Sequence, residues 1–139
     1  MTMEKSETQN EDRILLSEPT DSAQAIVAAL DLATRVGFTE TDRCKVATAV
    51  SELATNILRY AKQGVVRLRI VQEGGRTGIE VFAEDDGPGI ADIAEAMKDH
   101  VSSRNSLGLG LPSVKRLMDE FHIESSLGRG TRIRARKWR

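Results

Sequence analysis

A short acidic stretch with two glycines, residues 84–90, constrains this chain more than any other segment. It reads Glu-Asp-Asp-Gly-Pro-Gly-Ile and follows an apolar run, 78–83, whose alternation is typical of a β-strand. An acidic cluster at a strand end does not build a hydrophobic core. The glycines on either side of Pro88 let the backbone turn sharply and approach a bound molecule closely. We therefore predict that this stretch forms the floor of a ligand site.

Length and composition predict a single globular domain. The chain has 139 residues, enough for one core, and its 40% hydrophobic and 29% charged residues are ordinary for a soluble protein. No apolar run approaches the ~20 residues of a membrane span. The net charge is −1, and only 4% of residues are aromatic, so stacking platforms for bases are few. We expect neither nucleic acid nor a membrane as a partner.

Cysteine and histidine usage argues against two further kinds of site. Cys44 is the only cysteine, so no internal disulfide forms, which fits a reducing cytoplasm. We expect Cys44 to be a small buried residue on a helix. His100 and His122 lie far apart, without cysteine or acidic partners at metal-ligand spacing, so a zinc site is not expected.

The periodicity of the chain predicts an α+β fold. Residues 1–12 are polar and are expected to form a flexible tail, and residues 13–139 form the domain. The natural arrangement is a two-layer α/β sandwich, with a mostly antiparallel, mixed sheet and helices on one face. The predicted strands are 13–18, 65–73, 78–84, 122–127 and 131–138, and the predicted helices are about 21–36, 40–60, 91–98 and 112–121. The first helix is expected to bury Ala25, Ile26, Ala29, Leu30, Ala33 and Val36. The second is expected to be capped by Thr39 and to bury Val46, Val50, Leu53 and Ile57. Along the last strand, Arg132, Arg134 and Arg136 alternate with Ile133 and Ala135, the pattern of a half-buried strand with a charged outer face.

The second long helix carries a polar pair beside its apolar stripe. Glu52 and Asn56 are four residues apart and therefore lie on the same helical face. Their neighbours Leu53 and Ile57 mark the core side, so the pair sits at the edge of the buried stripe. A carboxylate and an amide oxygen there suit Mg²⁺ and a water or hydroxyl. The alternative is a solvated glutamate beside a surface asparagine, and the pair alone favours that alternative.

Three further segments are suggestive only in combination. Gly108-Leu109-Gly110 leads into a helix, where free N–H groups and the helix dipole favour an anion. The polar segment 102–105 has the composition of a lid over a phosphate. The segment 128–131, Gly-Arg-Gly-Thr, closes the last hairpin. Their plain alternatives are a loop-to-helix junction, an ordinary loop and an ordinary turn.

The order of these motifs resembles the GHKL ATPase superfamily. It runs Glu-x-x-x-Asn on a helix, Asp-x-Gly-x-Gly after a strand, Gly-x-Gly into a helix and Gly-Thr at a final hairpin. The small size and residues 51–56, Ser-Glu-Leu-Ala-Thr-Asn, are similar to the anti-sigma-factor-type serine kinases. Residues 83–90 and 108–121 and the terminal Lys137-Trp138 resemble the switch kinases of the stressosome. The resemblance covers about residues 13–139 and implies the Bergerat ATPase fold.

The resemblance also implies a role for each matching residue. Glu52 would be the general base that takes a proton from the substrate hydroxyl, and Asn56 would coordinate the Mg²⁺ that bridges the ATP phosphates. Asp85 would accept a hydrogen bond from the adenine amino group. Phosphoryl transfer needs mainly positioning, a metal and charge stabilisation, so these few groups suffice. The other implied ATP contacts are Gly87 and Gly89 beneath the nucleotide, Arg104 at the γ-phosphate, Gly108 and Gly110 at the phosphates, and Thr131 near the adenine.

The function implied is an ATP- and Mg²⁺-dependent serine/threonine protein kinase of a partner-switching module. Its substrates would be STAS-domain stressosome proteins, and it would then activate a PP2C-type phosphatase. One alternative is an anti-sigma factor that sequesters a sigma factor and phosphorylates its antagonist. Others are a nucleotide-binding regulator without catalysis and a histidine kinase, which would need a phospho-accepting histidine on a dimerisation helix. A homodimer is left open, because sigma-binding members of the family are dimeric.

Overall fold

The computed structural model describes residues 11–98 and 110–139. The strands of this part are β1 (Glu11–Leu16), β2 (Gly64–Glu73), β3 (Arg76–Asp85), β4 (Glu120–Ser126) and β5 (Gly130–Trp138). Its helices are α1 (Pro19–Val36), α2 (Glu40–Tyr60), α3 (Ile93–Ala96) and α4 (Gly110–Leu117). The strands form one sheet in the order β1-β2-β3-β5-β4, and each pairing between described strands is antiparallel. The long helices pack on one face, which confirms the predicted two-layer α+β fold.

The core lies between the sheet and the two long helices. Leu68 of β2 and Val81 of β3 are paired across the strands and are fully buried. From α2, Val50 and Leu53 enter the same cluster, as the sequence predicts. The burial of these apolar side chains is the main source of stability for a domain of this kind. Because α2 belongs to this cluster, the polar pair on its edge is held at a fixed position above the sheet.

The buried side of α1 differs from the prediction at two residues, since Ile26, which was expected in the core, is only half-buried. Leu32 is fully buried, whereas Leu30, which was expected in the core, is 37% exposed. At 100° per residue, Leu30 lies about 120° around the helix from Val36, whereas Leu32 lies only about 40° from it. The prediction counted Leu30 by its spacing and missed the residue nearer the centre of the stripe.

Both long helices begin with a side-chain cap. Asp21, in the first turn of α1, accepts hydrogen bonds from the backbone N–H groups of Ser17 and Glu18, at 2.9 Å each. These two bonds hold the pKa of Asp21 below its usual value of 3.8. At α2, the Thr39 hydroxyl accepts from the Asp42 N–H at 3.2 Å, which confirms the predicted cap.

The elements that flank the final hairpin have different limits from those predicted. Helix α4 begins at Gly110 and ends at Leu117, so Phe121 lies in β4 and not on the helix. The chain leaves the helix where the Asp119 N–H donates to the Arg136 carbonyl, at 2.8 Å, and the sheet pairing takes over. Helix α3 is a single turn. At the other end, β1 begins at Glu11, within the predicted tail, and residues 1–10 lie outside the described part.

The sheet face away from the helices is charged. Arg132, Arg134 and Arg136 alternate along β5 with the buried Ile133 and Ala135, as predicted for a half-buried strand. Glu80 of β3 lies on this face and is 0% exposed, because Arg69 and Arg136 each contact its carboxylate at 2.6 Å. Arg132 and Arg136 are thus partners of carboxylates within the sheet, Glu84 and Glu80, which accounts for part of the charge on the last strand.

Two remaining features concern the outside of the molecule. Cys44 is exposed on α2, so the prediction of a buried cysteine is wrong. The buried stripe of that helix passes through Val46, Ala47 and Val50, and Cys44 falls outside it. In the described part of the chain, none of the helices combines the length and the apolar character needed to cross a bilayer.

Candidate active site

Three neighbouring strands bring three polar side chains into one row at the end of the sheet. Asp85, the last residue of β3, is paired with Thr131 of β5, and Thr131 is paired with Ser125 of β4. Residues paired across strands point to the same face. That face is the helix side, and Asp85 and Thr131 are 9% and 4% exposed. The two residues predicted to lie near the adenine are therefore brought side by side. We call Asp85, Thr131 and Ser125 the polar row.

The loop after β3 folds back on the carboxylate of Asp85. Asp85 Oδ1 accepts a hydrogen bond from the Gly87 N–H at 2.9 Å, a turn that aspartate commonly makes with its own backbone. A Cβ atom at position 87 would lie 2.6 Å from the Cβ of Ala61, at the end of α2. Glycine at this position therefore lets the loop pack directly on the helix. Among the described residues, Asp85 Oδ2 has no hydrogen-bond partner, so it is available to a ligand.

The rest of the loop is joined to the β4–β5 hairpin. The Gly128 N–H donates to the Pro88 carbonyl at 2.9 Å, and the Ile90 N–H donates to Ser125 Oγ at 2.8 Å. Gly89 has a φ of +78°, and a Cβ there would collide with the carbonyl of Ser126. Gly87 and Gly89 were predicted to let the backbone pass beneath a nucleotide. The structure adds that both glycines allow the loop to contact its own scaffold.

Helix α2 presents Glu52 to the beginning of α4. Glu52 and Asn56 are both half-buried, as expected for the edge of the stripe. Glu52 Oε2 accepts a hydrogen bond of 2.8 Å from the Gly110 N–H, the first residue of α4. Gly110 adopts a φ of +69°, which favours glycine over residues with a side chain. The predicted base and one predicted phosphate contact therefore touch each other, although they are far apart in the sequence.

The polar row and Glu52 lie at different levels along α2. Gly87 packs on Ala61, nine residues beyond Glu52, and nine residues of helix span about 14 Å. Asn56 lies between them. This spacing is of the order of the length of a nucleoside triphosphate, so one molecule can reach from Asp85 to the Glu52–Gly110 contact along the helix.

Two predicted contacts fall in the part of the chain that the structure does not describe. Arg104, expected at the γ-phosphate, and Gly108, expected at the phosphates, lie within residues 99–109. The predicted lid at 102–105 lies there too. Their roles stay predictions.

Two residues of the site were not identified from the sequence. Ser125 is one, and Arg132 is the other, because its Nη1 donates to the Asp85 carbonyl at 2.6 Å. The signal for Ser125 was present in the hairpin register: a turn at 127–129 places residue 125 opposite Thr131. No local motif marks Arg132, whose contact depends on the pairing of β3 with β5.

Asp86, the acidic residue that follows Asp85, points away from the polar row. Its Oδ1 lies 3.0 Å from Arg132 Nη2, and its side chain is 91% exposed. Beside it, a cavity of about 630 Å³ is lined by Arg67, Glu84, Asp86 and Arg132 together with Asp85. Among the described site residues, Glu52, Asn56 and Thr131 do not line it. This cavity is therefore separate from the region between α2 and α4, and two of its arginines, Arg67 and Arg132, already contact Glu84.

The donor set fits a magnesium ion that is shared with phosphates. Mg²⁺ prefers oxygen ligands and is commonly held by one or two protein groups together with substrate phosphates and water. Within the described residues, no cluster of three or more His, Cys, Asp or Glu side chains could form an all-protein metal cage. The Asn56 amide oxygen, one helical turn from Glu52, suits the first kind of site and not the second.

Comparison with known proteins assigns the family. Residues 15–137 match the family described as "Histidine kinase-like ATPase domain". The chain therefore belongs to this family. Among its relatives, the serine/threonine-protein kinase RsbT of Bacillus subtilis (strain 168) is 48% identical over 117 residues, covering 81% of this chain and 88% of that protein. The anti-sigma F factor of Thermoanaerobacter sp. (strain X514) is 33% identical over 122 residues, covering 84% of this chain and 82% of the factor.

Solved structures support the fold. The RsbU and RsbW domains of a Mycobacterium tuberculosis protein match with a TM-score of 0.61 at 17% identity, covering 93% of this chain and 33% of that one. The SiaB-SiaC complex of Pseudomonas aeruginosa matches with a TM-score of 0.56 at 12% identity, covering 99% and 96%. Together with the relatives, these matches confirm the resemblance to GHKL ATPases and anti-sigma-factor-type kinases. The predicted enzyme class, a serine/threonine protein kinase, is borne out by the name of the RsbT relative.

Proposed function

We propose that this protein is an ATP- and magnesium-dependent serine/threonine protein kinase of a cytoplasmic partner-switching module. The observation that carries the proposal is the 2.8 Å hydrogen bond between Glu52 and the Gly110 N–H. It places a carboxylate, the group a general base requires, at the helix N-terminus where phosphates are expected to bind. The similarity to the RsbT kinase supports the same activity.

The binding step uses the two ends of the site for different tasks. Asp85 and Thr131 hold the adenine at the end of the sheet, and the loop 87–90 closes beneath the nucleotide. At the other end, the N–H groups that begin α4 bind the phosphates. Asn56 would hold Mg²⁺, which would supply charge neutralisation at the phosphates. The long contact of α2 with the sheet fixes the distance between the two ends.

The transfer step depends on a proton acceptor beside the phosphates. Glu52 accepts the proton of the serine or threonine hydroxyl as that oxygen attacks the γ-phosphorus, and the bond to the β-phosphate oxygen breaks. The products are the phosphorylated protein and ADP. Before this can happen, Glu52 must release the Gly110 N–H. Phosphate oxygens that bind this N–H replace the carboxylate, so nucleotide binding frees the base.

The proposed partners follow from the family resemblance. The substrates are STAS-domain proteins of a stressosome, and phosphorylation releases the kinase to bind and activate a PP2C-type phosphatase. Whether the protein forms a homodimer is tested by analytical ultracentrifugation with and without ATP. The identity of about a third with anti-sigma F factors favours a second candidate, an anti-sigma factor that also phosphorylates its antagonist. Stable co-purification with a sigma factor would favour that candidate.

The test is a transfer assay with a matched control. The protein is incubated with labelled ATP, Mg²⁺ and a candidate STAS-domain protein, and the assay is repeated with Glu52→Ala. We expect transfer to fall by about 10²-fold or more, because general-base catalysis contributes roughly 10²–10⁴-fold. Glu124→Ala is the control, since Glu124 is 74% exposed on β4. Equal transfer by wild type and Glu52→Ala would show that Glu52 is not the base. ATP binding without any transfer would indicate a regulator that does not catalyse.

A further inference from the structure

Ser125, a member of the polar row, makes three polar contacts. Its Oγ accepts a hydrogen bond from the Ile90 N–H at 2.8 Å. It lies 2.9 Å from the Gly130 carbonyl, to which it donates. It also lies 2.8 Å from Thr131 Oγ1, where either hydroxyl could be the donor. One hydroxyl thus links the loop after β3, the first residue of β5 and a residue predicted to lie near the adenine.

Counting protons decides the direction of the ambiguous bond. A serine hydroxyl has one proton and two lone pairs. The Ile90 N–H can only donate, and the Gly130 carbonyl can only accept. If Ser125 donated to Thr131, its contact with the Gly130 carbonyl would bring two acceptors together without a proton. All three contacts are hydrogen bonds only when Ser125 donates to Gly130 and Thr131 donates to Ser125.

This assignment fixes what Thr131 can offer to a ligand. Its one proton points to Ser125, so only lone pairs of Thr131 Oγ1 remain for a further partner. The neighbouring Asp85 is an acceptor as well, with Oδ1 bonded to the Gly87 N–H and Oδ2 available among the described residues. The polar row therefore presents acceptors and no rotatable donor to a base that binds there.

We propose that Ser125 is a specificity-determining residue that holds the Thr131 hydroxyl in its acceptor orientation and so makes the site select a purine with an amino group at C6 over one with a carbonyl at C6. The proposal rests on the assignment of the polar row to the adenine. An exocyclic amino group donates to these acceptors, directly or through a water. A carbonyl at the same position would face them without a proton between, and a buried polar group without a partner is costly. Ser125 is a positioning residue, since it acts through Thr131.

The experiment compares the dissociation constants of ATP and GTP by isothermal titration calorimetry with Mg²⁺. In Ser125→Ala, the Thr131 hydroxyl is free to rotate and can donate to a carbonyl. We expect the preference for ATP over GTP to fall roughly three- to tenfold, the range that a single neutral hydrogen bond supports. Ser126→Ala is the matched control, one residue along β4 and exposed, and should keep the wild-type ratio. Ser125→Thr retains the hydroxyl and should restore it.

A second background shows whether the effect passes through Thr131. Thr131→Val removes the hydroxyl at nearly constant volume, and in that background Ser125→Ala should leave the ratio unchanged. If Ser125→Ala does not fold, Ser125→Cys replaces it, because a thiol is a weak donor. An equal loss of affinity for both nucleotides would overturn the inference and leave a structural role. If Ser125→Ala still changes the ratio of ATP to GTP affinity in the Thr131→Val background, the inference would be overturned too. A wild-type protein that binds neither nucleotide would overturn the proposed function, and the inference with it.

Discussion

At the scale of single residues, the proposed site separates recognition from chemistry. Asp85 lies at a strand end beside glycines, a position that first suggests a catalytic carboxylate. In the structure its Oδ1 is used by the Gly87 N–H, and its neighbours are Thr131 and Ser125. Glu52, by contrast, lies on α2 and contacts the start of α4, where an anion is favoured. The residue proposed to select the nucleotide and the residue proposed to accept the proton are therefore separated along α2.

Asp85→Asn should weaken ATP binding and leave the stability of the apo protein nearly unchanged. Asparagine keeps an oxygen at the position of Oδ1, so the hydrogen bond from Gly87 can persist and the apo protein should unfold at nearly the same temperature. The other oxygen can become an amide nitrogen, a donor facing the adenine amino group. We expect ATP affinity to fall roughly tenfold or more, by analogy with hydrogen bonds to charged groups. Calorimetric titration and thermal unfolding measure the two effects. An unaltered affinity would count against Asp85 at the adenine.

Single-residue patterns in the sequence also show where prediction stops. Asp85, Glu52 and Asn56 were identified because each belongs to a local motif with a fixed spacing. Ser125 was missed because nothing around it is unusual, and its role is set by the strand that lies opposite. Cys44 was misplaced because the type of residue, and not its angle on α2, was used to judge burial.

At the scale of elements, α4 is the part of the proposed site where a protein carboxylate and a phosphate would compete for the same N–H group. Its first residue, Gly110, donates to Glu52, so a carboxylate takes the place that the proposed mechanism gives to a phosphate. The sequence predicted a helix from about 112 and an anion at its start. It could not show that a protein carboxylate already uses that N–H, because the contact joins two distant elements.

We expect Glu52→Ala to bind nucleotide more tightly while it loses phosphoryl transfer. The substitution frees the Gly110 N–H and removes a negative charge near the phosphates. We expect the affinity for ATP to rise roughly two- to fivefold, the range of a charge at a helix end. Titration calorimetry of wild type, Glu52→Ala and the Glu124→Ala control provides the comparison. A weaker affinity in Glu52→Ala would mean that Glu52 helps to hold the nucleotide or its metal, and the competition would be refuted.

At the scale of the whole molecule, the two faces of the sheet have different tasks. The helix side carries the core and the proposed nucleotide site. The other side carries arginine–carboxylate contacts, with Glu80 buried between Arg69 and Arg136. Hydrogen bonding to Glu80 is the main reason that the pKa of Arg136 is raised above its usual value, and burial opposes it. Alternation along β5 predicted this charged face, whereas the complete burial of Glu80 follows only from the order of the strands.

This division predicts that Glu80→Ala separates stability from binding. The change leaves two arginines without their shared carboxylate, and losing one partner of a buried pair is strongly destabilising. Because Arg69 is half exposed, we expect a smaller loss, roughly 2–3 kcal/mol in the free energy of unfolding. Glu80 and Asp85 are five residues apart on opposite faces, about 17 Å along β3, so ATP affinity measured well below the melting temperature should stay at the wild-type value. Urea unfolding and titration calorimetry measure the two quantities, and Glu124→Ala is again the exposed control. A fall in ATP affinity comparable to that of Asp85→Asn would show that the two faces are coupled, since the helix side would then depend on a charge on the other side.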